Sequence, residues 1–186
     1  MKGQPAELRT ERLILRRWSE ADREPFARMN RDPTVMEFFP VALSREESDA
    51  LVDRAIGHFA ESGFGPWAAE LRDTGAFIGF IGLSVPRFEA KFTPCVEVGW
   101  RLATEYWGRG LATEGARAAL EWGFTELGLG EVVSFTTVDN RRSRRVMEKL
   151  GMICDAADNF DHPQLPEGHP MRPHVLYRLK RGTIRV

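Results

Sequence analysis

The strongest constraint on the fold of this chain is a strand-like run that turns into a helix-like run through a Gly-Arg-Gly sequence. Residues 96–102 form the apolar run, residues 111–127 form the helical one, and Gly108 and Gly110 flank Arg109 between them. The first N–H groups of a helix lack intrahelical partners, and the helix dipole is positive there. Glycine lets a bulky anion approach the backbone, and arginine adds a fork of donors. The junction therefore predicts a phosphate or pyrophosphate site at the start of a helix.

Taken alone, the two glycines fit an ordinary strand-to-helix turn equally well. Two familiar nucleotide loops fit poorly. A Walker A loop ends in Gly-Lys-Ser/Thr, which this loop lacks, and a dinucleotide fingerprint has Gly or Ala where Thr113 stands. That fingerprint also belongs to the first strand of a βαβ unit, whereas this loop lies past the middle of the chain. A nucleotide-phosphate enzyme is therefore the weakest of the phosphate-binding alternatives.

A second segment, residues 139–152, helps to decide between a phosphate site and an ordinary turn. It reads DNRRSRRVMEKLGM, and together with WGRGLATE over residues 107–114 it resembles the GCN5-related N-acetyltransferase (GNAT) superfamily. Two positions depart from the family pattern: Trp107 stands where Gln or Arg is usual, and Met152 where Phe is usual. The opening TERLILR over residues 10–16 resembles the branch that acetylates ribosomal-protein N-termini (RimJ/RimL type). The resemblance covers residues from about 10 to 180.

The resemblance implies a single GNAT-like domain over residues 1–186 that binds acetyl-CoA and acetylates an amine, either a protein N-terminus or a small molecule. The implied fold is α/β (α+β): one mixed, mostly antiparallel twisted sheet of about seven strands flanked by helices. Its fourth and fifth strands splay apart to admit the pantetheine arm. The implied cofactor contacts come from the loop, the preceding strand and the second motif: Trp100 and Leu102 through their backbones, and Trp107, Gly108, Arg109, Gly110, Leu111, Ala112, Thr113, Asn140, Ser143 and Arg144.

Local patterns predict elements in an order compatible with that fold. Capping boxes begin helices at Ser19 and Ser44, and Gly151 ends the last helix. The predicted helices cover residues 20–30, 45–61, 111–127 and 140–150, and the predicted strands cover 12–16, 67–71, 76–83, 95–102, 131–137, the region of 154, and 174–180. Residues 161–173 are rich in proline and read as a long loop, a type of segment that is often functional.

Glu97 is the candidate general base. Acetyl transfer to an amine needs a neutral amine, and an alkyl ammonium has a pKa of about 10. Strand alternation puts Glu97 on one face with Cys95 and Gly99. Burial in an apolar strand would raise its pKa toward a useful value. The alternative is a structural carboxylate paired with an arginine on a neighbouring strand.

The proton donor for the departing thiolate is less well defined. Many relatives carry a tyrosine seven residues after the asparagine of the second motif, and here that position is Met147. Ser143 occupies a place where the ribosomal-type branch has a proposed donor; the alternative, which we favour, is that Ser143 only positions the cofactor. A thiol has a pKa of about 8.5, so the thiolate can leave without a donor. The missing tyrosine keeps open a non-catalytic acyl-CoA-binding or regulatory domain of the same fold.

Three further groups of side chains have more than one interpretation. The cations of residues 141–149 suit a solvated helix, with one or two of them near the cofactor phosphates. His162, His169 and His174 are spaced too widely for a common zinc motif, so no metal is expected. His174 either borders the acceptor pocket or is a hydrogen-bonded core residue. Aromatic side chains that either line that pocket or belong to the core are Phe38, Phe39, Trp67 and Phe92.

Bulk composition limits the remaining options. The 186 residues are 42% apolar, which is enough for one domain core, and the net charge of −1 gives no basic surface for nucleic acid. We expect no membrane span and no signal peptide. Cys95 and Cys154 form no Cys-x-x-Cys pair, which favours reduced thiols in the cytoplasm. The sequence identifies neither the acceptor amine nor a choice between monomer and homodimer.

Overall fold

The computed structural model describes residues 7–182, and its strands form one sheet. In chain order the strands are β1 Glu7–Arg9, β2 Leu13–Arg16, β3 Pro66–Leu71, β4 Phe77–Ser84, β5 Glu97–Leu102, β6 Glu131–Thr137, β7 Ile153–Cys154, β8 Phe160–Asp161 and β9 Pro173–Lys180. The sheet order is β1-β2-β3-β4-β5-β6-β9-β7, and β8 also pairs with β9. Every pairing is antiparallel except that of β5 with β6.

Four α-helices accompany the sheet: α1 Arg23–Arg31, α2 Arg45–Ser62, α3 Leu111–Thr125 and α4 Arg141–Lys149. The capping boxes predicted from the sequence are present. Backbone N–H groups of Ser19 and Ser44 donate to the carboxylates of Asp22 and Glu47, so the helix starts are fixed locally. The first helix begins as a short 3-10 turn, Glu20–Asp22, before its α-helical part.

The two faces of the sheet carry different helices. On one face, Leu13, Ile81 and Val98 are fully buried in a core that also holds the apolar residues of α3 and α4. On the other face, Phe26 and Met29 of α1 pack with side chains from the α1–α2 segment and from β4. Alternation along β5 therefore points its even-numbered residues at α3 and its odd-numbered residues at α1.

The mixed, mostly antiparallel sheet agrees with the fold predicted from the sequence. It has nine strands instead of about seven, and the two additional strands are β1 and β8. Both are only two or three residues long, which is too short to give a recognisable alternating pattern. β8 consists of the residue just before the predicted loop 161–173 and the first residue of that loop. Its Phe160 pairs with His174 of β9.

The splay expected between the two central strands is present between β5 and β6. They pair in parallel at one position, Glu97 with Val133, where the Val133 N–H donates to the Val96 carbonyl oxygen at 2.9 Å. Beyond this point the facing edges of β5 and β6 have no ladder partner among residues 7–182. The sheet therefore has a wedge-shaped gap lined by backbone N–H and C=O groups.

A close backbone approach beside this gap gives a stability prediction. A Cβ added at Gly82 of β4 would lie 2.4 Å from the Gly65 carbonyl oxygen and 2.7 Å from the Pro66 Cα. We expect Gly82→Ala to lower the free energy of unfolding by about 1–3 kcal/mol, because rigid backbone must move. Gly57→Ala is the matched control: no heavy atom lies within 4 Å of its added Cβ in α2, so it should stabilise by up to about 1 kcal/mol. Urea denaturation measures both, and equal stability of the two variants would contradict this close packing of β4.

Candidate active site

The gap between β5 and β6 opens into a cleft of about 980 Å³. Its walls come from β5, β6, the loop before α3, the first turns of α4, and the segment between α1 and α2. These elements carry most of the site residues predicted from the sequence: Glu97, Trp100, Leu102, Trp107, Gly108, Gly110, Leu111, Ala112, Thr113, Asn140 and Ser143 all line it. Arg109 and Arg144 are the two predicted site residues that do not.

Glu97 lies at the narrow end of the gap, where β5 and β6 meet. Its carboxylate has no hydrogen-bond or ion-pair partner within residues 7–182, so the structural ion pair considered as an alternative is not formed there. Burial alone raises the pKa of Glu97 to about 8, because a low-polarity environment disfavours the charged form. A carboxyl group with this pKa exchanges protons near neutral pH, which suits a general base.

The Gly-Arg-Gly loop forms the opposite end of the cleft. Gly108 and Gly110 have φ values of +73° and +79°, a conformation that L side chains rarely adopt. Gly110 is the N-cap of α3, so the open N–H groups of the first turn face the loop. This is the anion-binding geometry predicted from the sequence.

Arg109 contributes its backbone to the loop, while its side chain lies outside the cleft. Its guanidinium carbon is 5.9 Å from the centre of the Tyr106 ring. Tyr106 itself lines the cleft, so this guanidinium lies beside the cleft wall, and its contact with the phosphates stays a prediction.

The loop is held from the N-terminal end of the chain. Glu114 of α3 accepts hydrogen bonds from the Thr10 hydroxyl at 2.6 Å and from the Arg12 N–H at 2.8 Å. The Arg12 guanidinium also pairs with Glu114 at 2.6 Å and donates to the Arg109 carbonyl oxygen at 2.9 Å. Partial burial would raise the pKa of Glu114, but these hydrogen bonds outweigh it and hold the pKa below its ordinary value. The sequence motif of residues 10–16 therefore has a structural role at the predicted phosphate site.

Trp107, which replaces the family's usual Gln or Arg, is turned into the protein. Its indole N–H donates to the Leu102 carbonyl oxygen at 2.7 Å, and its ring is half-buried between the two cores. The indole N–H is therefore used within the protein, and Trp107 fixes the loop onto the end of β5. The Leu102 carbonyl oxygen has a second lone pair, so both backbone groups of Leu102 stay candidate contacts for a ligand.

Helix α4 presents one cationic face to the cleft. Arg142, Arg145 and Lys149 line it, since residues three, four and seven apart share a side of a helix. Arg144 lies on another side, where it donates to the Val138 carbonyl at 2.9 Å and to the Tyr177 hydroxyl at 3.3 Å. The structure therefore places Arg144 away from the cleft, and its contact with the cofactor stays a prediction.

The start of α4 is built by Asn140. Its side-chain oxygen accepts from the Ser143 N–H at 3.2 Å, and its side-chain nitrogen donates to the Thr136 hydroxyl at 3.0 Å. These bonds cap α4 and tie it to the open edge of β6. Met147, at the position of the family's tyrosine, is 1% exposed and packs in the core at the wall of the cleft; its thioether has no proton to donate.

The α1–α2 segment and the β8–β9 region form the remaining walls. Phe38 and Phe39 line the cleft, whereas Trp67 is completely buried in the core and Phe92 packs into a cluster with Phe88 and Phe160. Glu37 forms an ion pair with Arg142 of α4, which joins the α1–α2 segment to the cationic face.

His162 and His174 also line the cleft, with ring centres 5.0 Å apart. Burial lowers the pKa of both, and each is flanked by the Phe135 ring. Both histidines are therefore neutral near pH 7. Within residues 7–182 no three His, Cys, Asp or Glu side chains are grouped so as to hold a metal, and no helix in that range is long and apolar enough to cross a membrane.

Comparison with known proteins gives consistent matches. A sequence profile described as the acetyltransferase (GNAT) domain matches residues 12–153. An uncharacterised N-acetyltransferase of Bacillus subtilis, YnaD, is 29% identical over 91% of this chain and 94% of its own length. The FsC-acetyl coenzyme A-N(2)-transacetylase of Aspergillus fumigatus is 35% identical over 82% of this chain and 66% of its own length. The crystal structure of an acetyltransferase from Agrobacterium tumefaciens matches with a TM-score of 0.76 at 28% identity, covering 94% of each chain.

Proposed function

Because the chain belongs to the GNAT family of acetyltransferases, we propose that it transfers the acetyl group of acetyl-CoA to a primary amine by direct attack on the thioester in a ternary complex. The match confirms the family predicted from the two sequence motifs, and members of this family use acetyl-CoA. The enzyme class is therefore acyltransferase, and the residues of the cleft have to hold both substrates and move the proton of the amine.

The observation that carries the proposal is the unpaired Glu97 at the junction of β5 and β6. When the acceptor arrives as an ammonium, Glu97 takes its proton, directly or through water, and leaves a neutral nucleophile. With a pKa of about 8, the carboxylate is ionised in a useful fraction of molecules near neutral pH and is basic enough to accept the proton. Burial of Glu97 raises its pKa and so accounts for both its basicity and its partial ionisation near neutral pH.

The other end of the cleft suits the phosphates of the acetyl donor. Backbone N–H groups of residues 110–113 and the positive end of α3 face the site, and Arg142, Arg145 and Lys149 add positive charge. A shallow hollow next to the loop is lined by Arg9 and Arg117 together with the carboxylates of Glu114 and Glu121, so the positive charge comes from the cleft. These groups fit a ligand with several phosphate charges.

The open edge of β5 suits the amide-rich pantetheine arm. Trp100 and Leu102 lie beyond the single β5–β6 pairing, so the strand edge at these residues is available for hydrogen bonds with ligand amides. When bound, acetyl-CoA supplies the activated acetyl group. The chain's own residues hold it in line with the amine and exclude water from the thioester.

Ser143 is assigned a positioning role in this proposal. It lines the cleft in the first turn of α4, close to the predicted cofactor, and its side chain has no hydrogen-bond partner within the described residues. Since the thiol of CoA has a pKa of about 8.5, the thiolate leaves without protonation by Ser143.

An acceptor screen tests the proposal. We expect acetyl-CoA-dependent release of free CoA with at least one group of primary amines: N-terminal peptides of ribosomal proteins, polyamines or amino-acid-like amines. The control is the same mixture without amine, which measures hydrolysis. Binding of acetyl-CoA in calorimetry with no release above hydrolysis on any amine would favour the alternative, a non-catalytic acyl-CoA-binding domain, for which the absence of a tyrosine at residue 147 is the supporting feature.

A further inference from the structure

Arg101 is a cation in the cleft that the proposed chemistry does not use. It lies on β5 four residues after Glu97, so alternation places both side chains on the face that points to α1. At about 3.3 Å per residue, the two α-carbons are roughly 13 Å apart along the strand. Both residues line the same cleft. The base and this guanidinium therefore face one continuous space.

The neighbours of the guanidinium are one amide and two aromatic rings. Its Nη1 donates to the Asn30 side-chain oxygen at 2.8 Å, and its central carbon lies 4.0 Å from the centre of the Phe39 ring and 5.8 Å from that of Phe80. Asn30 is fully buried and its amide nitrogen donates to Ser48 at 2.9 Å. Asn30 thus holds Arg101 in place without neutralising it.

The rest of the guanidinium has no partner in the described part of the chain. Nε is buried and has no hydrogen-bond acceptor, and Nη2 has none within residues 7–182 although it is not sealed from solvent. No carboxylate in that range lies within 4 Å of Arg101. Nε and Nη2 form the edge of a guanidinium that binds a carboxylate through two parallel hydrogen bonds. That edge is therefore unused.

Two other partly buried arginines of this protein, Arg16 and Arg178, are paired with carboxylates. Arg16 contacts the carboxylates of Asp22 and Glu70 at 2.7 and 2.6 Å. Arg178 likewise bridges two carboxylates, those of Glu131 and Asp158. Burial lowers the pKa of Arg101 to about 10, so it still carries its charge at neutral pH. An enclosed charge without a counter-ion is costly, and a ligand that supplies the counter-ion recovers that cost.

We propose that the amine acceptor carries an oxyanion, a carboxylate or phosphate, which binds Arg101 while its amine lies at Glu97. The inference rests on the proposed function, since it identifies the class of acceptor used by that site. Asn30 acts as a positioning residue, and Phe39 and Phe80 provide apolar contact for the body of the acceptor. The acceptor therefore belongs to the amino-acid-like class and not to the polyamines.

The test compares acceptors that differ only in the anion, with acetyl-CoA present and free CoA detected. The pairs are aminocaproate and hexylamine, glycylglycine and glycylglycinamide, and phosphoethanolamine and ethanolamine. We expect the anionic member of at least one pair to have a kcat/KM at least about tenfold higher, the usual effect of a charge-assisted hydrogen bond. A preference confined to phosphoethanolamine would identify the oxyanion as a phosphate.

Two variants assign the preference to the guanidinium. Arg101→Gln should bring the anionic-to-neutral ratio of kcat/KM close to one, mainly through a higher KM for the anionic acceptor. Arg101→Lys keeps the positive charge but cannot form two parallel hydrogen bonds with one oxyanion. Its anionic-to-neutral ratio of kcat/KM should therefore be intermediate. Thermal unfolding and acetyl-CoA binding of both variants check that they fold.

The outcomes separate this inference from the proposed function. Equal use of anionic and neutral acceptors by the wild-type enzyme, or an unchanged preference in Arg101→Gln, would overturn the role of Arg101 and leave acetyl transfer intact. Absence of turnover on every amine would refute the proposed function, and this inference with it.

Discussion

Replacing Glu97 by glutamine is expected to lower kcat by about 10²- to 10⁴-fold, the usual contribution of a general base. A glutamine side chain has nearly the same size but cannot accept a proton from the acceptor ammonium. The wild-type rate should rise as the pH increases through about 8, because Glu97 is protonated below that value. In the variant this step should disappear and leave only the titration of the amine itself. Steady-state rates between pH 6 and 10, with a saturating acceptor, measure both effects.

The same variant should be more stable than the wild type at high pH. Burial raises the folded-state pKa of Glu97 from 4.5 to about 8, so the folded state binds more protons than the unfolded state between these values. The contribution of Glu97 to the free energy of unfolding of the wild type is then greatest below pH 4.5, and it falls as the pH rises to 8. Glutamine does not titrate, so the stability of the variant lacks this slope. If the Glu97→Gln variant is slower but more stable than the wild type at pH 8, the Glu97 carboxylate of the wild type is buried and ionised at that pH.

Ser143→Ala provides the matched control in the same cleft. If Ser143 positions the cofactor, its loss should change kcat by less than about tenfold and leave the step near pH 8 in place. A loss as large as that of Glu97→Gln would assign proton transfer to Ser143. A pH profile of Glu97→Gln identical to that of the wild type would remove Glu97 from the role of base.

Gly110→Glu should abolish acetyl-CoA binding, with a loss of affinity of at least about 100-fold. Gly110 has φ +79° at the N-cap of α3, a conformation that costs a side-chain-bearing residue about 1–3 kcal/mol. Glutamate also places a negative charge at the predicted phosphate site, where the helix dipole and α4 supply positive charge. Calorimetric titration with acetyl-CoA measures the loss, and retained affinity would show that the phosphates bind elsewhere.

Gly110→Ala separates the two causes. An added Cβ has room, since its nearest neighbour is the Arg12 guanidinium at 3.6 Å. Alanine therefore carries the backbone strain without the charge, and it should weaken binding much less than glutamate. If both variants lost the same affinity, strain alone would explain the effect and the electrostatic part of the argument would fail. Thermal unfolding in the absence of ligand confirms that each variant is folded.

The features that sequence reasoning predicted correctly are those set by neighbouring residues. The capping boxes at Ser19 and Ser44 and the glycines of the loop depend on groups within four positions. The family motifs lie in these same local structures. The gap between β5 and β6 followed from the family resemblance, because nothing in either strand shows where the pairing stops.

Side-chain direction accounts for most of what was missed. A stricter use of helical periodicity would have separated Arg142, Arg145 and Lys149 from Arg144. Strand alternation would have placed Arg101 on the same face as Glu97. The orientation of Trp107 had no signal in the sequence, because no motif indicates a hydrogen bond from its indole N–H to the Leu102 carbonyl at the end of β5.

The contacts of Glu114 with Thr10 and Arg12 have a consequence for the order in which the enzyme is made. Thr10 precedes Glu114 by 104 positions, and Arg12 precedes it by 102. During synthesis these N-terminal partners therefore emerge long before the loop that they hold. Helix α4 and strand β9, which complete the site, follow later still. A ligand stabilises only a chain that can bind it. Acetyl-CoA can therefore stabilise the protein only after all of these segments have been synthesised.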